Sequence, residues 1–186
     1  MTGACTLALV SLLAGHTIGL AAQPGQILDP SVFPQLRSIT HGVATVNAPV
    51  GNRMTIDQTS QRAIIDWDSF NIARGNQVDF IFNEQFGNGS SVLNRIFDLD
   101  PTIIQGTLRG LIGNTGRVGG QIYLINQNGI LFTATAQVNT QSLVASTLDI
   151  DDLVFEEIGF VNAINEQPDA LAAFDSFGQP MGEIRI

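Results

Sequence analysis

The chain has 186 residues, of which 44% are hydrophobic and 13% charged, and its 17 acidic and 8 basic residues give a formal net charge of −9. A disordered chain or a coiled coil needs far more charge, so this composition excludes both and indicates one β-rich globular domain. All the basic residues are arginines, and they are scattered along the chain. Nucleic-acid binding requires clustered lysine and arginine, so we expect no nucleic-acid partner.

Residues 6–22 form an apolar stretch that ends in small residues. This pattern predicts a secretory signal peptide over residues 1–22, cut near Ala21 or Ala22, with a short buried helix as the alternative. Basic residues do not precede the stretch, which indicates a start assigned too late or a truncated front. Cys5 is the one cysteine, so the mature part, residues 23–186, would contain none, as suits export through an oxidising compartment.

Short apolar runs separated by Gly and Asn turns follow from about residue 39 onward. Alternation of β-branched and aromatic residues with polar ones predicts strands. The predicted strands are 54–58, 63–67, 78–82, 92–96, 102–108, 121–125, 129–132, 138–140 and 143–146. Residues 149–157 and 168–174 are helical candidates. Regular short strands fit a sandwich, a barrel or a β-helix, and periodicity alone leaves all three open.

Residues with catalytic potential are sparse. His41 is the one histidine outside the predicted signal peptide, and no group of residues has metal-ligand spacing or a nucleophile motif. Asp66 and Asp68 would share one strand face, where a solvated surface is the expected use, and Asp98 and Asp100 precede Pro101 in a predicted turn. We therefore expect no enzyme activity, no metal and no cofactor.

Five segments in order carry a family resemblance: IDWDSFNI (65–72), SVLNRI (91–96), IQGTL (104–108), IYLINQNGILF (122–132), and VNT with LVASTL (138–140, 143–148). Over residues 38–152 they resemble the N-terminal secretion domain of filamentous haemagglutinin-like exoproteins, the cargo of two-partner secretion systems. That resemblance implies an all-β fold, a right-handed single-stranded parallel β-helix with short capping or extra-helical β elements. It makes residues 23–186 one secretion (haemagglutination activity) domain.

The family motif in the fourth segment is Asn-Pro-Asn, and here it is Asn126, Gln127, Asn128 and Gly129. The resemblance implies that these four residues contribute to partner recognition, although Asn and Gly also suit the corners of a coil. The structural motif residues that the resemblance implies are Trp67, Phe70, Asn71, Leu93, Asn94, Arg95, Gly106, Ala145 and Ser146. In a β-helix we expect Trp67, Phe70, Leu93 and others to form inward apolar ladders, with Asn71 and Asn94 at corners.

The function that the resemblance implies is secretion targeting and nucleation of folding for a large exoprotein. The chain would cross the inner membrane through the general secretion machinery. Periplasmic substrate-binding domains of a cognate outer-membrane pore transporter would then bind it, and it would reach the surface or exterior of a Gram-negative bacterium. The alternatives are an adhesin or carbohydrate-binding β-helix that contacts host or neighbouring cells, and a polysaccharide lyase. The last strand-like residues, 182–186, suggest a coil cut short, so we also expect a chain truncated at its C-terminus.

Overall fold

The computed structural model describes residues 26–157, 174–175 and 182–186. The predicted signal peptide and most of the helical candidate 168–174 lie outside the described residues. The strands of the first half are β1 (Gln35–His41), β2 (Ala44–Val46), β3 (Arg53–Gln58), β4 (Arg62–Ser69), β5 (Gln77–Phe82), β6 (Ser91–Ile96), β7 (Thr102–Ile104) and β8 (Thr107–Ile112). Those of the second half are β9 (Arg117–Val118), β10 (Gln121–Ile125), β11 (Ile130–Phe132), β12 (Gln137–Asn139), β13 (Ser142–Ser146), β14 (Asp149–Ile150), β15 (Phe174–Asp175) and β16 (Ile184–Arg185).

Helical structure is scarce in the described residues. It consists of the short α-helix α1 (Asp152–Glu157), inside the predicted candidate 149–157, and one 3₁₀ turn at Gly87–Gly89. No helix in the described part of the chain has the length and apolar character that a membrane span requires. The protein is thus nearly all β.

Three sheets contain the parallel pairs of the fold, and the chain visits them in a repeating order. One sheet has the order β1-β4-β6-β10-β13, the second β12-β8-β5-β3-β2, and the third β16-β11-β7. In the first sheet, each of β4, β6, β10 and β13 pairs in parallel with the next. In the second sheet, β3, β5, β8 and β12 pair in the same way. The first two sheets are mixed, because β1 pairs with β4, β2 with β3 and β9 with β8 in antiparallel orientation, and β14 and β15 form a separate two-stranded antiparallel sheet.

In-register parallel pairing stacks equivalent residues into ladders that run across the strands. In the first sheet one ladder joins Ile65, Asn94, Leu124 and Ala145, and its neighbour joins Ile64, Leu93, Tyr123 and Val144. Because successive side chains point to opposite faces of a strand, the two ladders lie on opposite faces of the sheet. The arrangement therefore gives this sheet an inner and an outer face.

Each face of the first sheet has its own apolar cluster. The inner cluster includes Ile65, Leu124 and the aromatic residues Trp67, Phe70 and Phe80, all fully buried. The outer cluster consists of Ile64, Leu93, Tyr123 and Ile125, covered by Ile150 and Phe155. The inner cluster is the main core, and the segment from β14 to α1 covers the outer face.

Three expectations from the sequence need correction. The strand predicted over 102–108 is two strands, β7 and β8, separated at Gln105 and Gly106. Leu93 belongs to the outer cluster and not to an inward ladder. Asn94 lies inside strand β6, fully buried, and not at a corner. The sequence pattern misplaced Leu93 and Asn94 because β6 is buried on both faces, and such a strand has no polar side to mark which residues point inward.

Candidate functional site

Residues 126–129 form a turn between β10 and β11, here called the Asn126 turn, and Asn126 links it to neighbouring parts of the chain. Its side chain is fully buried, and Nδ2–H donates to Thr102 Oγ1 at 3.0 Å and to the Asp100 carbonyl at 3.1 Å. Its Oδ1 accepts the backbone N–H of Asn128 at 2.8 Å, and its own N–H donates to the Ser146 carbonyl at 3.1 Å. Because one buried amide satisfies groups on several segments, Asn126 has a structural role that requires no partner protein.

Asn128 and Gly129 complete the turn in different ways. Asn128 is exposed, and its Nδ2–H donates to the Asp98 carbonyl at 2.8 Å. Gly129 has φ +112°, and a Cβ there would lie 2.7 Å from the Glu183 carbonyl oxygen. Gln127 is half-buried, and its carbonyl accepts the Gly182 N–H at 2.7 Å. The turn therefore contacts loop 97–100 on one side and residues 182–183 on the other.

Trp67 and Phe70 belong to an aromatic row in the main core. Their ring centroids lie 5.1 Å apart at 80°, and Phe70 continues to Phe80 at 6.4 Å. The indole Nε1–H of Trp67 donates to Asn94 Oδ1 at 3.0 Å, and Asn94 Nδ2–H donates to the Tyr123 carbonyl at 3.0 Å. Such a satisfied polar network fixes the position of the buried indole.

Four further residues of the predicted motif set have local structural contacts: Asn71, Gly106, Ala145 and Ser146. Asn71 Oδ1 accepts the Ile103 N–H at 2.7 Å, which joins the loop after β4 to strand β7. Gly106 is buried where a Cβ would lie 2.5 Å from the Ala73 carbonyl and against the Asn76 carbonyl. Ala145 packs against the main core. Ser146 Oγ bonds the Leu148 backbone at 2.9 Å, which shapes the turn after β13.

Arg95 is the centre of a charge cluster that holds the segment from β14 to α1, residues 149–157, against the first sheet. Its guanidinium donates to Asp149 at 2.9 Å, to Asp152 at 2.6 Å and to the Ile150 carbonyl at 3.1 Å. Burial opposes the charge, but the bonds to Asp152 and Asp149 outweigh it and raise the pKa of Arg95. Asp66 lies 3.8 Å away, and burial raises the pKa of its carboxyl although Arg95 acts against this.

The two acids that the sequence singled out, Asp66 and Asp68, lie in different surroundings. Asp66 is 8% exposed, which corrects the expectation of a solvated surface, and Asp68 is exposed with Arg37 at 2.6 Å. Asp98 Oδ1 accepts the Asp100 N–H at 3.1 Å, as expected for a turn. Within residues 26–157 and 182–186, no group of three or more His, Cys, Asp or Glu side chains could hold a metal ion.

Asp79 is a buried charge that sequence reasoning missed. It is fully buried on β5, where it accepts bonds from Arg109 at 2.8 Å and from Arg53 at 2.5 Å. Burial acts to raise the pKa of its carboxyl, but the bonds to Arg109 and Arg53 outweigh it, and the pKa is lowered. The available signal was an acid between Val78 and Phe80 in an apolar strand, which needs a cationic neighbour when buried.

The structure brings several predicted residues together and leaves others apart. Arg95, Gln127, Asn128, Phe97 and Leu99 line one surface cleft. Trp67 and Phe70 lie in the core, and Gly106 in a tight loop between β7 and β8. The predicted set therefore divides into one surface site around the Asn126 turn and a group of internal residues that shape the fold.

Comparison with known proteins assigns this architecture to a family. Residues 35–175 match the family described as TPS secretion domain, which is more than half of the chain. The chain therefore belongs to the TPS (two-partner) secretion domains, which direct the secretion of exoproteins. Domains of this class work in general with a cognate outer-membrane transporter, and their exoproteins are secreted or displayed at the cell surface.

The individual relatives belong to Haemophilus influenzae. A heme/hemopexin-binding protein is 34% identical over 119 residues, and the corresponding protein of strain Rd is 36% identical over the same length. Each match covers 64% of this chain and 12% of the relative, so the chain spans about an eighth of the length of these curated relatives. The crystal structure of the HMW1 secretion domain is 33% identical with a TM-score of 0.56, covering 66% of this chain and 30% of that chain.

Proposed function

We propose that the described strands wind as a right-handed, single-stranded parallel β-helix. The support is the repeated order in which the chain visits the three sheets, together with the in-register ladders of β4, β6, β10 and β13. Crossover connections between parallel strands are right-handed in nearly all proteins, which favours that hand. Antiparallel β1 and β2 would then cap one end, and β14 with α1 would be the extra-helical part.

The proposed function is to target a longer exoprotein to its outer-membrane transporter, whose periplasmic domains bind this domain. The single observation that carries it is the family match over residues 35–175. An export route follows from the same assignment: a signal peptide over residues 1–22 engages the inner-membrane machinery, and the periplasm is crossed before release at the surface of a Gram-negative cell. Residues 23–186 are proposed to act as one secretion domain.

A second part of the proposal is that the domain nucleates folding outside the cell. In the described residues, β13 pairs along one edge with β10, so its other edge offers backbone N–H and C=O groups to a further strand. A parallel stack grows most easily from such a preformed edge, because each added coil gains contacts with its neighbour. Folding at the exterior would disfavour return through the pore.

This role is proposed to be non-enzymatic, without a cofactor or metal. The cluster around Arg95 is occupied with holding β14 and α1, and Asp79 is enclosed by Arg53 and Arg109. Both charge clusters thus have structural uses. Turnover of an acidic polysaccharide by the purified chain would contradict a purely structural assignment.

Deletion of residues 126–129 in the full chain, with the transporter co-produced, tests the proposal. We expect loss of most secreted protein, because the deletion removes the Asn126 and Asn128 bonds to Asp100, Thr102 and Asp98. The matched control deletes residues 113–116, the four-residue turn between β8 and β9. Unchanged secretion of the 126–129 deletion would count against this turn as an element of the export signal.

Binding of other molecules is a second candidate function. The observation favouring it is the similarity to proteins named for binding haem and hemopexin, each matched over 12% of its length. An adhesive or carbohydrate-binding contact with host or neighbouring cells is proposed from the resemblance to haemagglutinin-like exoproteins. A glycan array and a haem titration with the purified chain test it, and binding absent in both would leave the secretion role alone.

A further inference from the structure

Residues 26–34, here called the strap, precede β1 and belong to no strand or helix. One end of the strap is anchored by Phe33, which is buried in the main core. At the other end, Gln26 and Ile27 are exposed and Leu28 is half-buried. The first residues of a domain are usually poorly ordered unless contacts tie them down, so the contacts of this end determine what the strap does.

The side-chain amide of Gln105 holds the end of the strap that is far from Phe33. Its Oε1 accepts the Leu28 N–H at 3.1 Å, and its Nε2–H donates to the Gln26 carbonyl. The amide thus offers one acceptor and one donor to the strap backbone, as a neighbouring strand would. Gln105 is buried, so without the strap its amide would lose both of these partners inside the protein.

A second buried amide, that of Asn76, holds the middle of the strap. Its Nδ2–H group donates to the Pro30 carbonyl at 2.7 Å and to the Val32 carbonyl at 3.0 Å. Between the two amides the strap makes a local turn, in which Asp29 Oδ1 accepts the Ser31 N–H at 2.8 Å. Two side chains from the rest of the domain therefore hold the strap along most of its length.

The two amides lie on different loops, one between β4 and β5 and the other between β7 and β8. Backbone bonds join these loops. The backbone N–H of Gln105 donates to the Ile72 carbonyl at 2.8 Å, and that of Thr107 donates to the Asn76 carbonyl, also at 2.8 Å. The site for the strap therefore exists only when the two loops have come together. Leu28 and Gln105 are 77 residues apart, and contacts of such long separation are costly to form early in folding.

We propose that the strap is a latch, which docks after the rest of the domain has folded and then slows its unfolding. Contacts that form after the folding barrier raise the barrier to unfolding and leave the folding rate unchanged. Outside the cell, slow unfolding would keep the domain from returning through the pore as an unfolded chain. The inference rests on the proposed nucleation of folding, because it names the element that keeps the folded nucleus closed.

The first test measures the folding and unfolding rates of the purified full chain in urea. Gln105→Ala is expected to speed unfolding about tenfold and to leave refolding within about twofold, because both strap bonds are lost after the barrier. The control is Ile27→Ser, which changes a strap side chain that is 84% exposed and should leave both rates within about twofold of the wild type. Unchanged unfolding of Gln105→Ala would overturn the inference. So would slower refolding without faster unfolding, because the strap would then dock before the barrier.

A second variant changes the strap and leaves the rest of the domain intact. Leu28→Pro removes the N–H that donates to Gln105 Oε1, and it should speed unfolding about threefold. This variant decides the matter if Gln105→Ala does not fold. Unfolding of Leu28→Pro at the rate of the wild type would overturn the inference.

A double-mutant cycle separates the latch from a general packing role of Gln105. In a chain that lacks residues 26–31, Gln105→Ala should change the unfolding rate by less than about twofold, because the partners of the amide are already gone. An undiminished effect in that background would place the role of Gln105 inside the rest of the domain and would overturn the inference. The rates need no transporter, so a failure of secretion would contradict the proposed function, whereas unchanged rates in the strap variants would contradict only the latch.

Discussion

The side chain of Asn94 joins Trp67 to Tyr123 through the interior of the first sheet. Trp67 Nε1–H donates to Asn94 Oδ1, and Asn94 Nδ2–H donates to the Tyr123 carbonyl, both at 3.0 Å. Asn94 occupies an inward ladder position between Ile65 and Leu124, where an apolar residue would be expected. One amide thereby connects three adjacent strands, β4, β6 and β10, and determines how the indole sits in the core.

Asn94→Ala is expected to lower the free energy of unfolding by about 2–4 kcal/mol, because it creates a cavity and leaves the buried indole N–H without this acceptor. The control is Asn52→Ala, which removes an exposed amide bonded to the Gly75 carbonyl at 2.8 Å and should cost about 1 kcal/mol or less. Urea unfolding of both variants measures the difference. Similar losses in the two variants would contradict the structural role given to Asn94.

Arg95→Met is expected to release the segment from β14 to α1 from the first sheet, because Asp149 and Asp152 lose their cationic partner. We expect a loss of about 3 kcal/mol in unfolding free energy, as for a buried ion pair with one partner removed. Chymotrypsin should then cleave at Phe155, which is fully buried in the wild type. Arg37→Met, which removes an exposed pair with Asp68, should cost less than about 1 kcal/mol. Continued protection of Phe155 in Arg95→Met would contradict the fastening role.

Asp79→Asn is expected to lose stability in a pH-dependent way. The folded-state pKa of Asp79 is below its usual 3.8, so its ionised form stabilises the fold above that pH, and this is lost as pH falls through the folded pKa. We expect a loss of about 2 kcal/mol at neutral pH, since the two arginines can partly return to water. The gap between wild type and variant should close in strongly acidic buffer. A gap that stays constant with pH would show that the Asp79 charge is not the cause.

Gly106→Ala is expected to destabilise the fold by about 3 kcal/mol, because the added Cβ meets the Asn76 and Ala73 carbonyls and the Ile72 side chain. Gly89→Ala is the control, since a Cβ there would find Gln61 Nε2 at an ordinary 3.7 Å. It should change stability by no more than about 1 kcal/mol. Thermal unfolding of the two variants decides the matter, and equal melting temperatures would contradict the close packing at Gly106.

Much of the β architecture could be predicted from the sequence. The sequence pattern placed β3, β5 and β6 within one residue at each end, because each is a short run with apolar residues and turns rich in Gly or Asn separate them. The pattern does not place the split between β7 and β8, since β-branched and apolar residues lie on both sides of Gln105 and Gly106. The break lies at Gly106, where the backbone carbonyls of Ala73 and Asn76 approach closely, and local patterns do not encode such a contact between distant parts of the chain.

The candidate site was predicted in part. The Asn126 turn was recognised by its residue types, but its contacts with Asp98, Asp100 and Thr102 depend on how distant parts of the chain pack together. The role of Asp79 was missed for the same reason. An acid in an apolar strand gives no sign of the arginines opposite it.

The secretion role is tested most directly by the amount of this chain found outside the cell with and without its transporter. The full chain is produced in a Gram-negative host, alone and with the two-partner transporter encoded in the same genome, and the medium and cell surface are assayed. We expect the chain to reach the exterior when the transporter is present and to be retained in the periplasm when it is absent. Equal release in both strains, or retention in both, would contradict the assignment of this domain as the secretion signal.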